Sequence, residues 1–149
     1  MMIRKASVLV ATVIALWSAP ACAGRADPPK TGPQTTTVVI SYNDLLEQKT
    51  ITRSVELSVG DTLQVSLGSN ASTGYQWAPQ MQISDPQVIG QAGHEAIAAT
   101  GSAPGAPGSE VWALQALAPG AATVSTTYGR PWPGGEKGAW TFTAQVQVR

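Results

Sequence analysis

Hydrophobic and polar residues alternate along most of the chain beyond residue 36. Residues 51–59 and 62–67 show the pattern clearly, with a Gly-Asp turn between them. Such alternation places successive side chains on opposite faces, as in a strand with one face buried. Further segments of this kind, separated by turns rich in glycine and proline, cover residues 36–42, 77–83, 88–98, 110–117, 122–128 and 140–148.

The regular spacing of these short strands predicts an all-β fold, an immunoglobulin-like antiparallel β-sandwich. No segment beyond residue 22 has the periodicity of a long helix, although Leu45 and Leu46 in the polar insertion 44–49 fit a short helical turn. The chain has a single cysteine, so the sandwich is predicted to lack a disulfide and to depend on apolar packing. About 110 residues are enough to form such a core.

The N-terminal part of the 149-residue chain has the pattern of an export signal. Arg4 and Lys5 precede an apolar run, and small residues follow it, which together predict a secretory signal over residues 1–22. Residues 23–35 are rich in proline and glycine and predict a flexible tether. Residues 36–149 predict one domain. We therefore expect an exported protein.

Cys22 lies where a bacterial lipoprotein signal carries its lipidated residue. The stretch resembles such a signal imperfectly, because Ala19 and Pro20 occupy positions where other residues are usual. A lone thiol at the processing point has no disulfide partner, which favours lipidation and a cell-envelope lipoprotein. Ordinary cleavage after Ala21 or Ala23, which gives a secreted protein, is the alternative.

Two loops between predicted strands have an unusual composition. The loop at residues 69–74 has a small polar tip, and Gly74 allows its backbone to approach another surface closely. The loop at residues 128–135 holds Trp132 between two prolines, so that the indole cannot easily enter the core of its own strand. A rigid exposed tryptophan beside Arg130 is typical of residues that dominate the binding energy of protein interfaces. An ordinary inter-strand turn is the alternative interpretation of the first loop.

The motifs in these loops resemble those of the chagasin family, the protein inhibitors of papain-like cysteine peptidases. The family pattern has three loops, Asn-Pro-Thr-Thr-Gly-Tyr/Phe, Gly-x-Gly-Gly and Arg-Pro-Trp, and the resemblance covers residues 36–149. The residues that correspond to the three loops are Asn70, Ala71, Ser72, Thr73, Gly74 and Tyr75; Gly105, Ala106, Pro107 and Gly108; and Arg130, Pro131 and Trp132.

Three of these positions depart from the family pattern. Ala71 and Ser72 stand where proline and threonine are usual, and Pro107 stands where a glycine is expected. The Arg-Pro-Trp motif is matched in full.

The resemblance implies a reversible inhibitor that occludes the cleft of a papain-like cysteine peptidase with three loops and does no covalent chemistry itself. The central loop would fill the cleft, with Thr73 bonding near the catalytic histidine. Trp132 would pack on a wall of the cleft and Arg130 would bond its polar rim. We expect a monomer.

Residues suited to catalysis or metal binding are sparse. His94 is the single histidine and has no nucleophile motif near it, so we expect a surface or strand histidine. A zinc site needs three or four ligands of the right type, and the acidic residues show no paired spacing. We therefore expect no enzyme activity, no cofactor and no metal.

The charge pattern excludes a further class of partner. Nine basic and nine acidic residues give a formal net charge of zero and form no basic stripe, so nucleic acid is not expected to bind. Membrane contact is expected only through a lipid on Cys22. The alternative function is a surface-anchored adhesion or carbohydrate-binding module, in which Trp77, Trp112 and Trp132 would stack on sugars.

Overall fold

The computed structural model of the chain describes residues 32–101 and 103–149. The predicted signal, Cys22 and the tether up to residue 31 lie outside these residues. In the described part the strands are β1 (Thr35–Ile40), β2 (Thr50–Leu57), β3 (Thr62–Ser69), β4 (Gln76–Trp77), β5 (Gln82–Ile83), β6 (Ile89–Ile97), β7 (Gly108–Ala116), β8 (Gly120–Gly129) and β9 (Trp140–Val148). The helical segments there are α1 (Tyr42–Glu47) and a 3-10 turn (Ala71–Thr73).

The strands form two sheets, which confirms the predicted all-β sandwich. The first sheet has the order β1-β3-β7-β6, and the second has the order β2-β9-β8-β4, with β5 also paired to β8. Neither sheet is purely antiparallel, because β1 pairs with β3 and β2 pairs with β9 in parallel. The predicted antiparallel sandwich is therefore a sandwich of two mixed sheets, and the other strand pairs of the described residues are antiparallel.

The parallel pairs arise from the place where the chain changes sheets. The chain runs along β1 in the first sheet, crosses over at α1, and returns along β2 in the second sheet. Since β3 runs in the direction of β1 and β9 in the direction of β2, each pair is parallel. Sequence alternation reports which face a residue occupies but not the direction of its neighbour.

The short helix α1 confirms the helical turn predicted around Leu45 and Leu46. The Ser41 hydroxyl accepts a hydrogen bond from the Asp44 backbone N–H at 3.2 Å, and the Asp44 carboxylate accepts from the Ser41 N–H at 2.8 Å. The Ser41 hydroxyl also donates to the Asp44 carboxylate at 2.6 Å. This bond and the one from the Ser41 N–H lower the pKa of Asp44. Leu45 is buried, and its carbonyl accepts from the indole of Trp140 at 2.7 Å, which fixes α1 against the sandwich.

The segment predicted as one strand over residues 77–83 is instead two short strands, β4 and β5. Pro79 interrupts it, since proline has no N–H to donate to a sheet. The Pro79 carbonyl accepts from the Trp112 indole at 3.0 Å and from the Gln91 side chain at 2.9 Å. These bonds hold the segment between β4 and β5 against the first sheet.

Large aromatic residues form the part of the core nearest the loops at residues 70–75 and 130–138. Trp77, Trp112, Tyr128 and Phe142 are each at most 2% exposed. The rings of Trp77 and Tyr128 lie 4.9 Å apart, and Trp77 meets Trp112 edge-on at 6.5 Å. Aromatic pairs of this geometry contribute about 0.5–1.5 kcal/mol beyond the area that they bury. This packing gives the loops a rigid base.

Candidate functional site

The three loops singled out in the sequence lie together at one end of the sandwich. The central loop (residues 70–75) joins β3 to β4, the β6–β7 loop (residues 98–107) joins the edge strand β6 of the first sheet to its neighbour β7, and the third loop (residues 130–138) joins β8 to β9. Strand register brings the loops together, because Ser69 pairs with Gly108 and Gln76 pairs with Gly129.

Asn70 organises the central loop as the cap of its 3-10 turn. Its side-chain oxygen accepts from the Ser72 backbone N–H at 3.2 Å and from the Ser72 hydroxyl at 2.6 Å. Its side-chain amide donates to the Gly105 carbonyl at 3.0 Å, which ties the central loop to the β6–β7 loop. The Asn70 backbone N–H donates to the buried Tyr128 hydroxyl at 2.8 Å. One residue thus fixes both the shape and the position of the tip.

Thr73 closes the turn from the other side. Its hydroxyl donates to the Asn70 carbonyl at 2.6 Å and accepts from the Tyr75 N–H at 3.3 Å. The Thr73 side chain is therefore engaged within the loop, and the bond near the catalytic histidine of a peptidase that the resemblance implies stays a prediction. Ala71 and Ser72 are exposed and form the tip.

Gly74 and Trp132 form the closest contact between the central and third loops. Gly74 has a left-handed backbone with φ of +79°, a conformation that favours glycine. A Cβ atom on Gly74 would lie 2.5 Å from Cη2 of the Trp132 indole. The absence of a side chain at Gly74 is what allows the indole to lie against the central loop. Trp132 nevertheless remains 46% exposed.

Arg130 lies between the same two loops. Its guanidinium is centred 4.6 Å from the Tyr75 ring and 5.9 Å from the Trp132 ring, and Nη2 donates to the Thr73 carbonyl at 3.3 Å. Its Nε is buried and has no hydrogen-bond partner among the described residues. Arg130 therefore supports the loops from within, and the bond to the rim of the cleft that the resemblance implies stays a prediction.

Glu136 and Lys137 complete the third loop, and no sequence motif points to them. The Lys137 ammonium donates to the carbonyls of Arg130 and Trp132, both at 2.7 Å. The Tyr75 hydroxyl donates to the Glu136 carboxylate. This hydrogen bond raises the pKa of Tyr75. A charged pair that follows two glycines carries no spacing signal, so only the folded structure shows its role.

The aromatic residues beneath the loops connect them to the core. The Tyr75 ring lies 5.5 Å from the Tyr128 ring and meets Trp140 edge-on at 5.3 Å. Burial raises the pKa of Tyr128, whose hydroxyl holds the central loop through Asn70. Tyr75 therefore joins the base of the central loop to the aromatic core.

The β6–β7 loop lies beside the central loop with less support. Gly105 has φ of +82°, and a Cβ there would lie 3.6 Å from the Ser72 hydroxyl oxygen. Ala106 is half-buried and Pro107 is exposed. Gly108 belongs to strand β7 rather than to the loop, and a side chain there would strike the Ile97 carbonyl. Pro131 of the third loop is exposed beside Trp132.

The described residues offer little for catalysis or for sugar stacking. They contain no group of three or more histidine, cysteine, aspartate or glutamate residues that could hold a metal ion. His94 lies on strand β6, as expected, and pairs with Glu110 at 2.9 Å. Trp77 is 2% exposed and Trp112 is fully buried, so two of the three proposed sugar platforms cannot contact a glycan. Within residues 32–101 and 103–149, no helix has the length and apolarity to cross a membrane.

The sandwich thus presents three linked loops at one end. The chain belongs to the chagasin family, because the family model described as chagasin family peptidase inhibitor I42 matches residues 56–146, more than half of the chain. Members of this family are inhibitors, so the protein belongs to the class of peptidase inhibitors and not of enzymes.

Two solved structures share the fold. The cysteine protease inhibitor EhICP2 from Entamoeba histolytica has a TM-score of 0.59 and 22% identity, with coverage of 79% of this chain and 100% of that chain. PbICP-C, solved in complex with falcipain-2, has a TM-score of 0.56 and 21% identity, with coverage of 78% of this chain and 99% of that chain. No curated protein sequence matches the chain at a significant level.

Proposed function

We propose that the protein is a reversible, competitive inhibitor of papain-like cysteine peptidases and that its three loops occlude the active-site cleft. The observation that carries the proposal is the union of the two motif loops into one rigid unit, through Arg130 and through the contact of Trp132 with Gly74. Family membership supports it, as does the fold shared with EhICP2, a cysteine protease inhibitor, and with PbICP-C, which was solved with falcipain-2 bound.

The tip of the central loop suits a narrow cleft. Ala71 and Ser72 are small and exposed, and the 3-10 turn beneath them is closed by the bonds of Asn70 and Thr73. A papain-like cleft holds a cysteine thiolate beside a histidine imidazolium, which the tip would cover. The tip carries no group that could react with the thiolate, so inhibition is by occlusion and is reversible.

Rigidity of the loops lowers the entropic cost of binding. Ordering a loop or a long side chain at an interface costs about 0.5–1.5 kcal/mol for each immobilised side chain. Here Asn70 holds the central loop to both the β6–β7 loop and Tyr128 before any partner arrives. The side-chain cap at Asn70 restrains the turn at the point where Ala71 replaces the proline of the family pattern.

Trp132 is the anchor of the third loop. One part of its indole lies against Gly74, and the rest is exposed beside Pro131. A half-exposed tryptophan that is already fixed in place can bury its free face against an apolar wall of the cleft with little further ordering. Arg130 contributes by holding Tyr75, Thr73 and Trp132 in position.

Inhibition assays with the purified protein test this proposal. Progress curves with papain and a cathepsin-like enzyme should show reversible, competitive inhibition, and trypsin should be unaffected because its cleft has a different shape. Trp132→Ala should weaken inhibition by about 2 kcal/mol or more. Leu117→Ala, which truncates a residue of similar exposure (49%) beyond the far end of β7, is the matched control and should inhibit as wild type.

The outcomes separate the function from its mechanism. A folded wild-type protein that inhibits no papain-like enzyme at micromolar concentration would refute the function. Inhibition by wild type that Trp132→Ala leaves unchanged would preserve the function and refute the role of the third loop.

A further inference from the structure

A cleft of about 670 Å³ opens between the central loop and the β6–β7 hairpin. It lies on the side of the sandwich where the edge strand β6 of the first sheet faces the edge strand β4 of the second. Its walls are mainly apolar or small, and they include Trp77, Pro79, Ala96, Ile97 and Ala98. Concave sites of this size with a few convergent polar groups are the usual sites of ligand binding.

Glu110 supplies the charge of this cleft. The residue is only 8% exposed, yet its carboxylate lines the cleft wall. One oxygen accepts from the Trp77 backbone N–H at 3.2 Å, and the other pairs with Nε2 of His94 at 2.9 Å. An ionised carboxylate can accept about four hydrogen bonds, so these two partners leave it able to accept more.

His94 fixes the carboxylate in place. Its imidazole lies on the Trp112 ring with centroids 4.8 Å apart, and its side chain is 21% exposed. His94 also borders the cleft, and the described residues that do so include no lysine or arginine. The cleft therefore offers a partly buried negative charge at the end of an apolar passage. A group with a long aliphatic stem and a terminal cation is complementary to both parts.

The cleft is continuous with the surface assigned to the peptidase. Asn70, Ala71 and Ser72 of the central loop border it, as do Gly105 and Ala106 of the β6–β7 loop. A partner that receives the tip of the central loop must therefore bring its own rim to the mouth of the cleft. We propose that this cleft receives a lysine or arginine side chain from the rim of the target peptidase. That a peptidase supplies this side chain rests on the proposed function. That the cleft binds an aliphatic stem with a terminal cation does not.

A peptide titration tests the chemistry without any peptidase. The probe is the blocked peptide Ala-Ala-Lys-Ala-Ala, compared with the same peptide containing norleucine, which keeps the stem and lacks the charge. Binding is followed by NMR at the backbone N–H of Trp77, which donates to the Glu110 carboxylate. The lysine peptide should shift this signal saturably in the millimolar range, and the norleucine peptide should bind about tenfold more weakly.

Two glutamate variants isolate the charge. Glu110→Gln keeps an acceptor for the Trp77 N–H and should weaken binding of the lysine peptide about tenfold. Glu95→Gln removes an equal charge from an exposed position on the neighbouring edge strand β6, outside the cleft, and should have no effect. Equal binding of the two peptides, no saturable shift, or equal effects of the two variants would each overturn the proposed chemistry.

Filling the cleft tests whether the target peptidase supplies the side chain that enters it. Ala96→Phe places a ring in the cleft and should weaken peptidase inhibition about tenfold, whereas Ala92→Phe on the same strand lies outside the cleft and should not. If wild type inhibits and Ala96→Phe inhibits equally well, the cleft is not part of the interface and the proposal fails. If wild type inhibits no peptidase, the proposed function fails and the assignment of the donor with it, while the peptide titration still decides the chemistry.

Discussion

Replacing Gly74 with alanine is the sharpest test of the way the two motif loops are joined. The new methyl group would lie 2.5 Å from Cη2 and 3.2 Å from Cζ3 of Trp132, so the indole must move. The variant also places a Cβ on a backbone with φ of +79°. It therefore combines local strain with displacement of the anchor of the third loop.

The two effects have different magnitudes and different readouts. The left-handed conformation costs an alanine about 1–2 kcal/mol, which should appear as lower stability to unfolding. Displacement of Trp132 should remove much of an interface anchor, about 2 kcal/mol, which corresponds to about a 30-fold weaker inhibition constant. Gly74→Ala should thus lose far more inhibition than its modest loss of stability explains.

Gly60→Ala is the control for strain alone. Gly60 has φ of +90° in the turn between β2 and β3, at the far end of the sandwich, and a Cβ there would meet only Pro33 Cγ at 4.0 Å. Chemical denaturation should show similar destabilisation of the two variants. Only Gly74→Ala should inhibit more weakly in a progress-curve assay.

A double-mutant cycle shows whether Gly74→Ala weakens inhibition by displacing Trp132. If Gly74→Ala acts by displacing the indole, adding it to Trp132→Ala should weaken inhibition no further. Additive losses would show that Gly74 acts independently of Trp132. Inhibition by a folded Gly74→Ala protein within about twofold of wild type would refute the argument that this contact positions the anchor.

Three further predictions concern the supports of the loops and the N-terminus. Arg130→Lys should weaken inhibition by about 1 kcal/mol, because lysine cannot both lie flat on Tyr75 and bond the Thr73 carbonyl; equal inhibition constants would contradict this. The hydrogen bond to Glu136 raises the pKa of Tyr75. The stability that this bond contributes should therefore be complete below about pH 10 and be lost as the pH rises through the raised pKa of Tyr75. The melting temperature should therefore fall less steeply with rising alkaline pH for Tyr75→Phe than for wild type. Parallel curves of melting temperature against pH would contradict this role of Tyr75. We also propose that Cys22 anchors the protein to membranes through lipid, so Cys22→Ser should release it; wild type found wholly in the soluble fraction would exclude the anchor.

The strands were predictable because alternation follows directly from the two-residue repeat of an extended chain. Residues 62–67 alternate in the sequence, and Leu63, Val65 and Leu67 are fully buried in β3. The parallel pairing was not predictable, because it depends on the crossing at α1 and not on any strand's own pattern. The division of residues 77–83 follows from Pro79, whose carbonyl finds side-chain donors from distant strands.

The motifs located the loops, but the roles of individual residues depended on contacts between distant parts of the chain. Arg130 bonds Thr73 across 57 residues, and Tyr75 bonds Glu136 across 61 residues. No local periodicity carries such information, since the register of β4 on β8 determines which residues meet.

The residue types of the two motifs are explained by the contact between the two loops as much as by the surface that the loops present. Gly74 leaves space for the Trp132 indole, and Arg130 occupies the position between Tyr75 and Thr73. A lone Arg-Pro-Trp segment without a glycine opposite it could not pack in this way. The two motifs therefore form one connected unit, and a change in either should affect both loops.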